Sequence, residues 1–175
     1  LLTCAGLSRK MAKLSLMVSL VLLALPTVAL PTAYVSFTPQ VGFGGAIKGN
    51  GMLKLLLGKR RPYHVESHGQ VLADGTFRLD QTVAFQGEPP RLRHWILTTV
   101  QPGTYTGTLS DAAGAVTGYT RGRRLMLRYR LKGPLVMHQR LEILHDGTID
   151  NAGRITLLGI PVGHLQETIV AKPRR

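Results

Sequence analysis

The segment that decides the fold is residues 124–132, Arg-Leu-Met-Leu-Arg-Tyr-Arg-Leu-Lys. Its residues alternate in character. The three arginines, Met126 and Lys132 share one parity, and three leucines and Tyr129 share the other. Successive side chains of a β-strand point to opposite faces, so this pattern predicts a strand with one buried face and one solvated face.

Comparable short runs rich in Val, Ile, Thr, Tyr and Leu follow one another from residue 55 to residue 171, separated by Gly, Pro, Asp and Asn. The predicted strands are 55–57, 63–72, 76–85, 91–100, 104–109, 115–120, 123–131, 135–144, 148–158 and 165–171. Asp74-Gly75 is a strong hairpin turn, and Asn151 with Gly153 indicates a bulge or a turn inside its run. We therefore predict an all-β antiparallel meander of about 8–10 strands that closes into a barrel, because closure leaves no edge strand.

Composition narrows the classes of protein. The chain has 175 residues and one Cys, which suits one domain and excludes an internal disulfide framework. At 44% hydrophobic and 18% charged residues, it does not have the composition of a disordered chain. Its formal net charge of +13 favours anionic neighbours such as lipid headgroups.

The N-terminal segment has the pattern of a secretory signal. Three basic residues precede the apolar run 14–25, and small residues follow Pro26, with cleavage expected after Ala29 or, second, after Ala33. The alternative is an uncleaved anchor in the inner membrane formed by residues 14–37, which are numerous enough to span a bilayer. Both interpretations export the protein to the periplasm or cell envelope.

Three regions follow from these patterns. Residues 1–33 are the signal peptide or membrane anchor, residues 34–45 a lead-in, and residues 46–175 a single β-barrel domain. Met11 is the expected natural start, since it opens a signal of ordinary length.

Several motifs occur in a fixed order along residues 49–172. They are Gly49-Asn-Gly-Met52, Asp74 to Asp80, Phe85-Gln-Gly-Glu88, Arg93-His-Trp95, Gly103 to Thr108, Asp111 to Gly118, Leu127-Arg-Tyr129, Asp146 to Asn151 and Gly159 to Gly163. In this order and spacing the chain resembles a bacterial family of exported proteins labelled domain of unknown function 3833. The resemblance implies a lipocalin-like (calycin-type) barrel and a periplasmic or membrane-associated location. It implies no particular activity.

Motifs of catalysis, metal binding and phosphate binding are missing from the sequence. It contains no Gly-x-Ser-x-Gly, no His-Glu-x-x-His and no phosphate-binding loop. His64 and His68 lie four residues apart, which on a strand separates them by roughly 13 Å. We therefore predict no catalytic residue, no metal and no cofactor, and we interpret the protein as not being an enzyme.

The first functional interpretation is a barrel that binds a small apolar or amphipathic, lipid-like ligand. Trp95, Tyr129 and Met137 would line the cavity, and Arg93 or Arg128 could pair with an acidic headgroup. A cavity of about 300 Å³ or more would favour this interpretation over a filled core.

Two alternatives stay open. The first is a lipocalin-like enzyme, an isomerase or hydrolase of an apolar substrate, which requires His94, His138 or Asp80 to point inward beside a cavity. The second is a packed barrel that acts at a membrane surface, where its basic clusters attract anionic lipid. Nucleic acid is not an expected partner, because few aromatic residues are left to stack on bases. The sequence leaves the ligand's identity and the oligomeric state open.

Overall fold

The computed structural model describes residues 36–171. One short helix precedes ten strands. They are α1 (Pro39–Phe43), β1 (Gly45–Leu55), β2 (Arg61–Val71), β3 (Phe77–Phe85), β4 (Arg91–Gln101), β5 (Thr104–Leu109), β6 (Val116–Arg121), β7 (Arg124–Arg130), β8 (Leu135–Ile143), β9 (Ile149–Leu157) and β10 (Ile160–Ala171). Each strand pairs antiparallel with the next, and β10 pairs with β1 to close the barrel. The predicted all-β closed meander is confirmed. The predicted signal or anchor segment lies outside the described residues.

Tight hairpin turns set the register of the strands. Gly75 and Gly147 have φ values of 82° and 83°, in the left-handed region that glycine adopts without steric cost. The carboxylates of Asp74 and Asp146 each accept a hydrogen bond from the backbone N–H two residues later, at 3.0 and 2.9 Å. These local bonds hold the turns that the Asp-Gly pairs predicted.

Two strand predictions are wrong in detail. The predicted strand 55–57 is mostly a turn, because the glycine-rich segment before it already forms β1 and pairs with β2 and β10. The expected irregularity at Asn151 and Gly153 is absent, and both residues pair regularly with β8 and β10. The register shifts instead between Pro161 and Gly163, where proline cannot donate a ladder hydrogen bond.

One end of the barrel is closed by the residues that precede β1. Phe37 is 0% exposed and packs edge-on against Phe43, with 5.6 Å between ring centroids. Its backbone N–H donates to the Gly122 carbonyl, and its carbonyl accepts from the Thr120 hydroxyl, both at 2.8 Å. The segment is therefore anchored to the β6–β7 end of the wall, and its rings fill that end of the interior.

The opposite end of the barrel holds the starts of the even-numbered strands β2, β4, β6, β8 and β10, as the antiparallel order requires. We call it the open end, since the cavity described below reaches it. Within residues 36–171, no helix is long and apolar enough to cross a membrane.

Candidate ligand-binding site

The barrel encloses a cavity of about 320 Å³ that is lined mainly by aliphatic and aromatic side chains. Four of the five predicted site residues line it: Arg93, Trp95, Tyr129 and Met137. The fifth, Arg128, lies on the outer face of β7 and is exposed, since it has the opposite parity to Tyr129. It therefore cannot pair with a group inside the cavity, and the prediction of its inward role is corrected.

A chain of hydrogen-bonded polar side chains crosses the cavity wall, with one member on each of four successive strands. The Tyr129 hydroxyl donates to Oε1 of Gln139 at 3.0 Å, and Nε2 of Gln139 donates to Oδ1 of Asn151 at 3.2 Å. Nδ2 of Asn151 donates to Oε2 of Glu167 at 2.8 Å. All four residues are buried, so each one satisfies a neighbour that would otherwise be costly to bury.

Glu167 is the ionisable end of this chain and is 8% exposed. Burial raises the pKa of its carboxyl above the ordinary value, while the hydrogen bond from Asn151 and the positive charge of Arg93 oppose the rise. The Tyr63 hydroxyl interacts with the same carboxyl, and burial together with the charge of Glu167 raises the pKa of Tyr63. The pair can hold a proton inside an apolar cavity.

Two glycines of β1 make the space that Glu167 and Tyr63 occupy. Gly51 lies opposite Glu167 on one side and opposite Tyr63 on the other. A Cβ atom at Gly51 would lie 2.5 Å from the Tyr63 hydroxyl oxygen, and one at Gly49 would lie 3.0 Å from Cδ of Glu167. The contact at Gly51 is too close for real atoms, and a Cβ at Gly49 would also overlap Oε1 of Glu167, so side chains at these positions would displace the polar pair.

A second, shorter chain of polar contacts orients Trp95. Its indole N–H donates to Oε1 of Gln81 at 2.7 Å, and Nε2 of Gln81 donates to the Ser67 hydroxyl at 3.1 Å. The indole also packs edge-on against Tyr129, with 5.4 Å between centroids and an interplanar angle of 90°. The single tryptophan of the chain is therefore fixed in the cavity wall beside the first polar chain.

Arg93 brings a positive charge into the cavity. Its Nε lies 2.9 Å from Oδ2 of Asp111, but the angle is not that of a hydrogen bond, and this buried Nε has no hydrogen-bond partner within residues 36–171. The guanidinium also lies 5.8 Å from the Trp95 ring centroid. A buried N–H that forms no hydrogen bond is costly, so this guanidinium, although ion-paired with Asp111, can donate to an acceptor that enters the cavity.

Charged and aromatic side chains surround the open end. Glu88 forms ion pairs with both Arg61 and Arg91. The Arg61 guanidinium lies 4.5 Å from the centroid of Phe85, and Phe85 packs against Tyr63 at 5.4 Å. The cavity mouth is thus framed by three arginines, counting Arg93, and by aromatic faces.

The residues that an enzyme would need inside the cavity, Asp80, His94 and His138, point outward from the barrel wall. Oδ1 of Asp80 lies 2.6 Å from Nδ1 of His94, and both side chains are on the outside of the wall. The hydrogen bond from His94 lowers the pKa of Asp80. His138 is also on the outer face, where burial and the nearby Arg128 and Arg154 lower its pKa. Within residues 36–171, no three His, Cys, Asp or Glu side chains converge as metal ligands would.

Sequence reasoning missed the polar residues that matter most here: Tyr63, Gln81, Asn151 and Glu167. Glu167 lies in the middle of β10, away from any turn. A usable signal was present, because Leu165 and Ile169 flank Glu167 at a spacing of two. A carboxylate between two aliphatic residues of one strand face indicates a buried carboxylate.

Comparisons with known proteins agree with this architecture. The family model described as "Protein of unknown function (DUF3833)" matches residues 31–170. The chain belongs to this family. No curated protein matches the chain in sequence. Among solved structures, the barrel is similar to the S-type phycobiliprotein lyase CPES from Guillardia theta, with a TM-score of 0.61 and 9% identity. The match covers 75% of this chain and 89% of the lyase, and it shows the lipocalin-like fold alone.

Proposed function

We propose that this DUF3833 barrel binds one small amphipathic, lipid-like molecule in its cavity. The observation that carries the proposal is the cavity itself, about 320 Å³ with a mainly apolar lining that includes Arg93, whose Nε is ion-paired with Asp111 but forms no hydrogen bond within residues 36–171. Cavities of about 300–1,000 Å³ with a few placed polar groups are typical of small-molecule sites. A filled barrel core would leave neither the volume nor the unsatisfied donor.

The arrangement of the lining defines the chemical class of the ligand. An apolar tail fits among the aliphatic side chains below the polar chain, toward Phe43, and a head that accepts hydrogen bonds fits beside Arg93. A carboxylate or phosphate head would gain most, because hydrogen bonds between charged groups are about twice as strong as neutral ones. A neutral carbonyl head would bind by the same contacts with lower affinity.

Trp95 allows the proposal to be tested without a label on the protein. It is the chain's single tryptophan and lines the cavity, so a dansylated fatty acid bound there should accept energy from it. We expect saturable transfer at one probe per chain. Arg93→Leu should weaken binding by about tenfold or more, since a hydrogen bond to a charged group contributes about 1.5–3 kcal/mol.

The matched control is Arg128→Leu, which removes an exposed arginine of the outer wall. We expect no change in affinity for this variant. Equal losses for both arginines, or transfer that does not saturate, would refute binding inside the cavity. If binding inside the cavity is supported, native mass spectrometry of protein purified gently from its host would identify the natural occupant.

A second function, that of an enzyme acting on an apolar substrate, is favoured by one observation. Glu167 and Tyr63 place a carboxyl of raised pKa beside a hydroxyl inside the cavity. A carboxylic acid kept neutral by an apolar site can donate or accept a proton at neutral pH. Glu167→Gln separates the two functions: a binding protein keeps its affinity for the probe, whereas an isomerase or hydrolase keeps affinity and loses turnover of its substrate.

Export to the periplasm or envelope is part of the proposal and is supported by the basic and apolar pattern of residues 9–25. Fractionation of cells that express the chain with a C-terminal tag tests it. Recovery of the mature barrel in the periplasmic or membrane fraction would support export, and recovery only in the cytoplasm would contradict it.

A further inference from the structure

Two neighbouring hairpins expose leucine and isoleucine side chains at the open end of the barrel. The β1–β2 turn holds Leu56 and Leu57, of which Leu57 is 100% exposed. The β9–β10 turn holds Leu158, which is 84% exposed, and Ile160 follows it. The hairpins are adjacent, since the Leu56 N–H donates to the Val162 carbonyl at 2.8 Å. Together these four side chains form what we call the apolar tip.

The conformation of Leu158 indicates that this leucine does not stabilise the fold. Its φ is 50°, and it is the one non-glycine residue with positive φ within residues 36–171. With Gly159 at φ 86° it forms a two-residue turn in which asparagine or aspartate is preferred at the first position. A leucine there is unfavourable in conformation and unfavourable in water, which favours a role in contact with a partner.

Basic side chains surround the apolar tip. Lys59 and Arg60 follow Leu57 in the same turn, and no ion pair within residues 36–171 involves either of them. Below the tip, Lys54, His164 and Arg154 lie directly opposite one another on β1, β10 and β9. Lys54 and Arg154 lie on either side of His164, about two strand spacings or roughly 10 Å apart, and no acidic residue stands between them, so an anionic partner would be attracted to both charges.

These three basic side chains also line a groove between the hairpins. The groove has a volume of about 360 Å³, and its other walls are Leu55, Leu56, Pro161 and Val162. It therefore offers positive charge beside apolar surface, which complements the anionic phosphate and the apolar chains of a phospholipid. Within the described residues no acidic side chain lines it.

We propose that the apolar tip inserts into an anionic membrane, with Lys54, Lys59, Arg60 and Arg154 contacting lipid headgroups. Apolar side chains at the ends of turns can enter the headgroup region while neighbouring cations stay at its level. The arrangement places the mouth of the cavity against the bilayer. The proposal depends on the outer surface only and stands whether or not the cavity holds a ligand.

The test uses the full chain and reads the tip locally, because the apolar N-terminal segment could hold the chain on a vesicle by itself. Cys4→Ser removes the single native cysteine, and Leu57→Cys then carries an environment-sensitive fluorophore. Val100→Cys is the matched control, an exposed aliphatic position near the end of β4, at the opposite end of the barrel. We expect vesicles containing phosphatidylglycerol to shift and brighten the probe at residue 57 and leave the probe at residue 100 unchanged.

Two variants separate insertion from charge attraction. In the chain labelled at residue 57, Leu158→Asn should raise the lipid concentration needed for the half-maximal probe response about tenfold and leave the barrel as stable as before or more stable, since asparagine suits the turn. Lys59→Gln with Arg60→Gln should lower affinity more than tenfold, because each basic residue near an anionic surface contributes about fivefold. Arg121→Gln, at the closed end, should have no effect.

Three results would overturn the proposal. One is an equal response of the probes at residues 57 and 100. Another is an equal response to vesicles of phosphatidylcholine alone. The third is a blue shift at residue 57 that grows with protein concentration in the absence of vesicles, which would assign the tip to contact between copies of the chain.

Discussion

Replacing Gly49 by alanine tests whether the polar chain depends on space left by this glycine. The new methyl carbon would lie 3.0 Å from Cδ and 3.3 Å from Cγ of Glu167, so the whole carboxylate arm has to turn. Turning it breaks the 2.8 Å hydrogen bond from Asn151, whose amide is buried. Leaving a buried polar group unsatisfied costs about 1–3 kcal/mol, and crowding a packed interior costs about the same.

Those two costs describe one displacement and are not added. An alanine at an ordinary φ also stabilises by about 0.5 kcal/mol through the unfolded chain, so we expect a net loss of about 1.5 kcal/mol for Gly49→Ala. The assay is urea unfolding followed by Trp95 fluorescence, with the free energy of unfolding taken from midpoint and slope. Gly58→Ala is the control, since its methyl carbon would lie 3.5 Å from Cβ of Leu55, an ordinary contact.

A double-mutant cycle decides the mechanism. Glu167→Ala removes the atoms that the new methyl would strike, so Gly49→Ala should keep only its gain of about 0.5 kcal/mol in that background, which is a coupling of about 2 kcal/mol. The cost of Glu167→Ala itself appears in both arms and cancels. Equal costs of Gly49→Ala in both backgrounds, or an equal cost for Gly58→Ala, would refute the account.

Three further predictions concern Glu167, Gln139 and the closed end. Because burial raises the pKa of Glu167, its stabilising contribution is complete below the ordinary pKa of 4.5 and is lost as pH rises through the raised value. In thermal melts from pH 4 to pH 8, the melting temperature of Glu167→Gln should therefore rise relative to that of the wild type as pH rises. A difference in melting temperature that stays constant with pH would contradict this. Gln139→Leu leaves the Tyr129 hydroxyl and the Asn151 carbonyl without partners and should cost about 3 kcal/mol in urea unfolding. Phe37→Ala should cost about 3–5 kcal/mol by the same measurement, whereas Val41→Ala, on the exposed side of α1, should cost under about 0.5 kcal/mol.

The fold was predictable because the alternation of apolar and polar residues along each strand shows which side chains face the interior. In β7, alternation separates Tyr129 from Arg128, and the same rule places Trp95 and Met137 inside. The rule also placed Arg128 outside, so its proposed inward role conflicted with the pattern of its own strand. The glycine-rich β1 escaped prediction, since glycines weaken a strand locally and only pairing on both sides compensates for that.

The site was less predictable because its contacts join residues that are distant in sequence. Tyr63 and Glu167 meet across Gly51, and no local pattern connects residues 51, 63 and 167. Register alone brings them together. The Arg93 pattern was visible as part of Arg93-His-Trp95, but its unsatisfied Nε is a property of angles that sequence does not contain.

The two ends of the barrel differ in a way that constrains how a ligand would enter. Phe37 and Phe43 fill the interior at the closed end, so an occupant has to pass the open end, where Arg61, Arg91 and Arg93 stand. An amphipathic molecule that enters tail first places its tail toward Phe43 and brings its head to rest among the arginines. The apolar tip lies at this same end, so a docked barrel would face the bilayer with its entrance. The two proposals nevertheless make separate demands: Arg93→Leu should weaken ligand binding and leave vesicle binding intact, and Leu158→Asn should do the reverse.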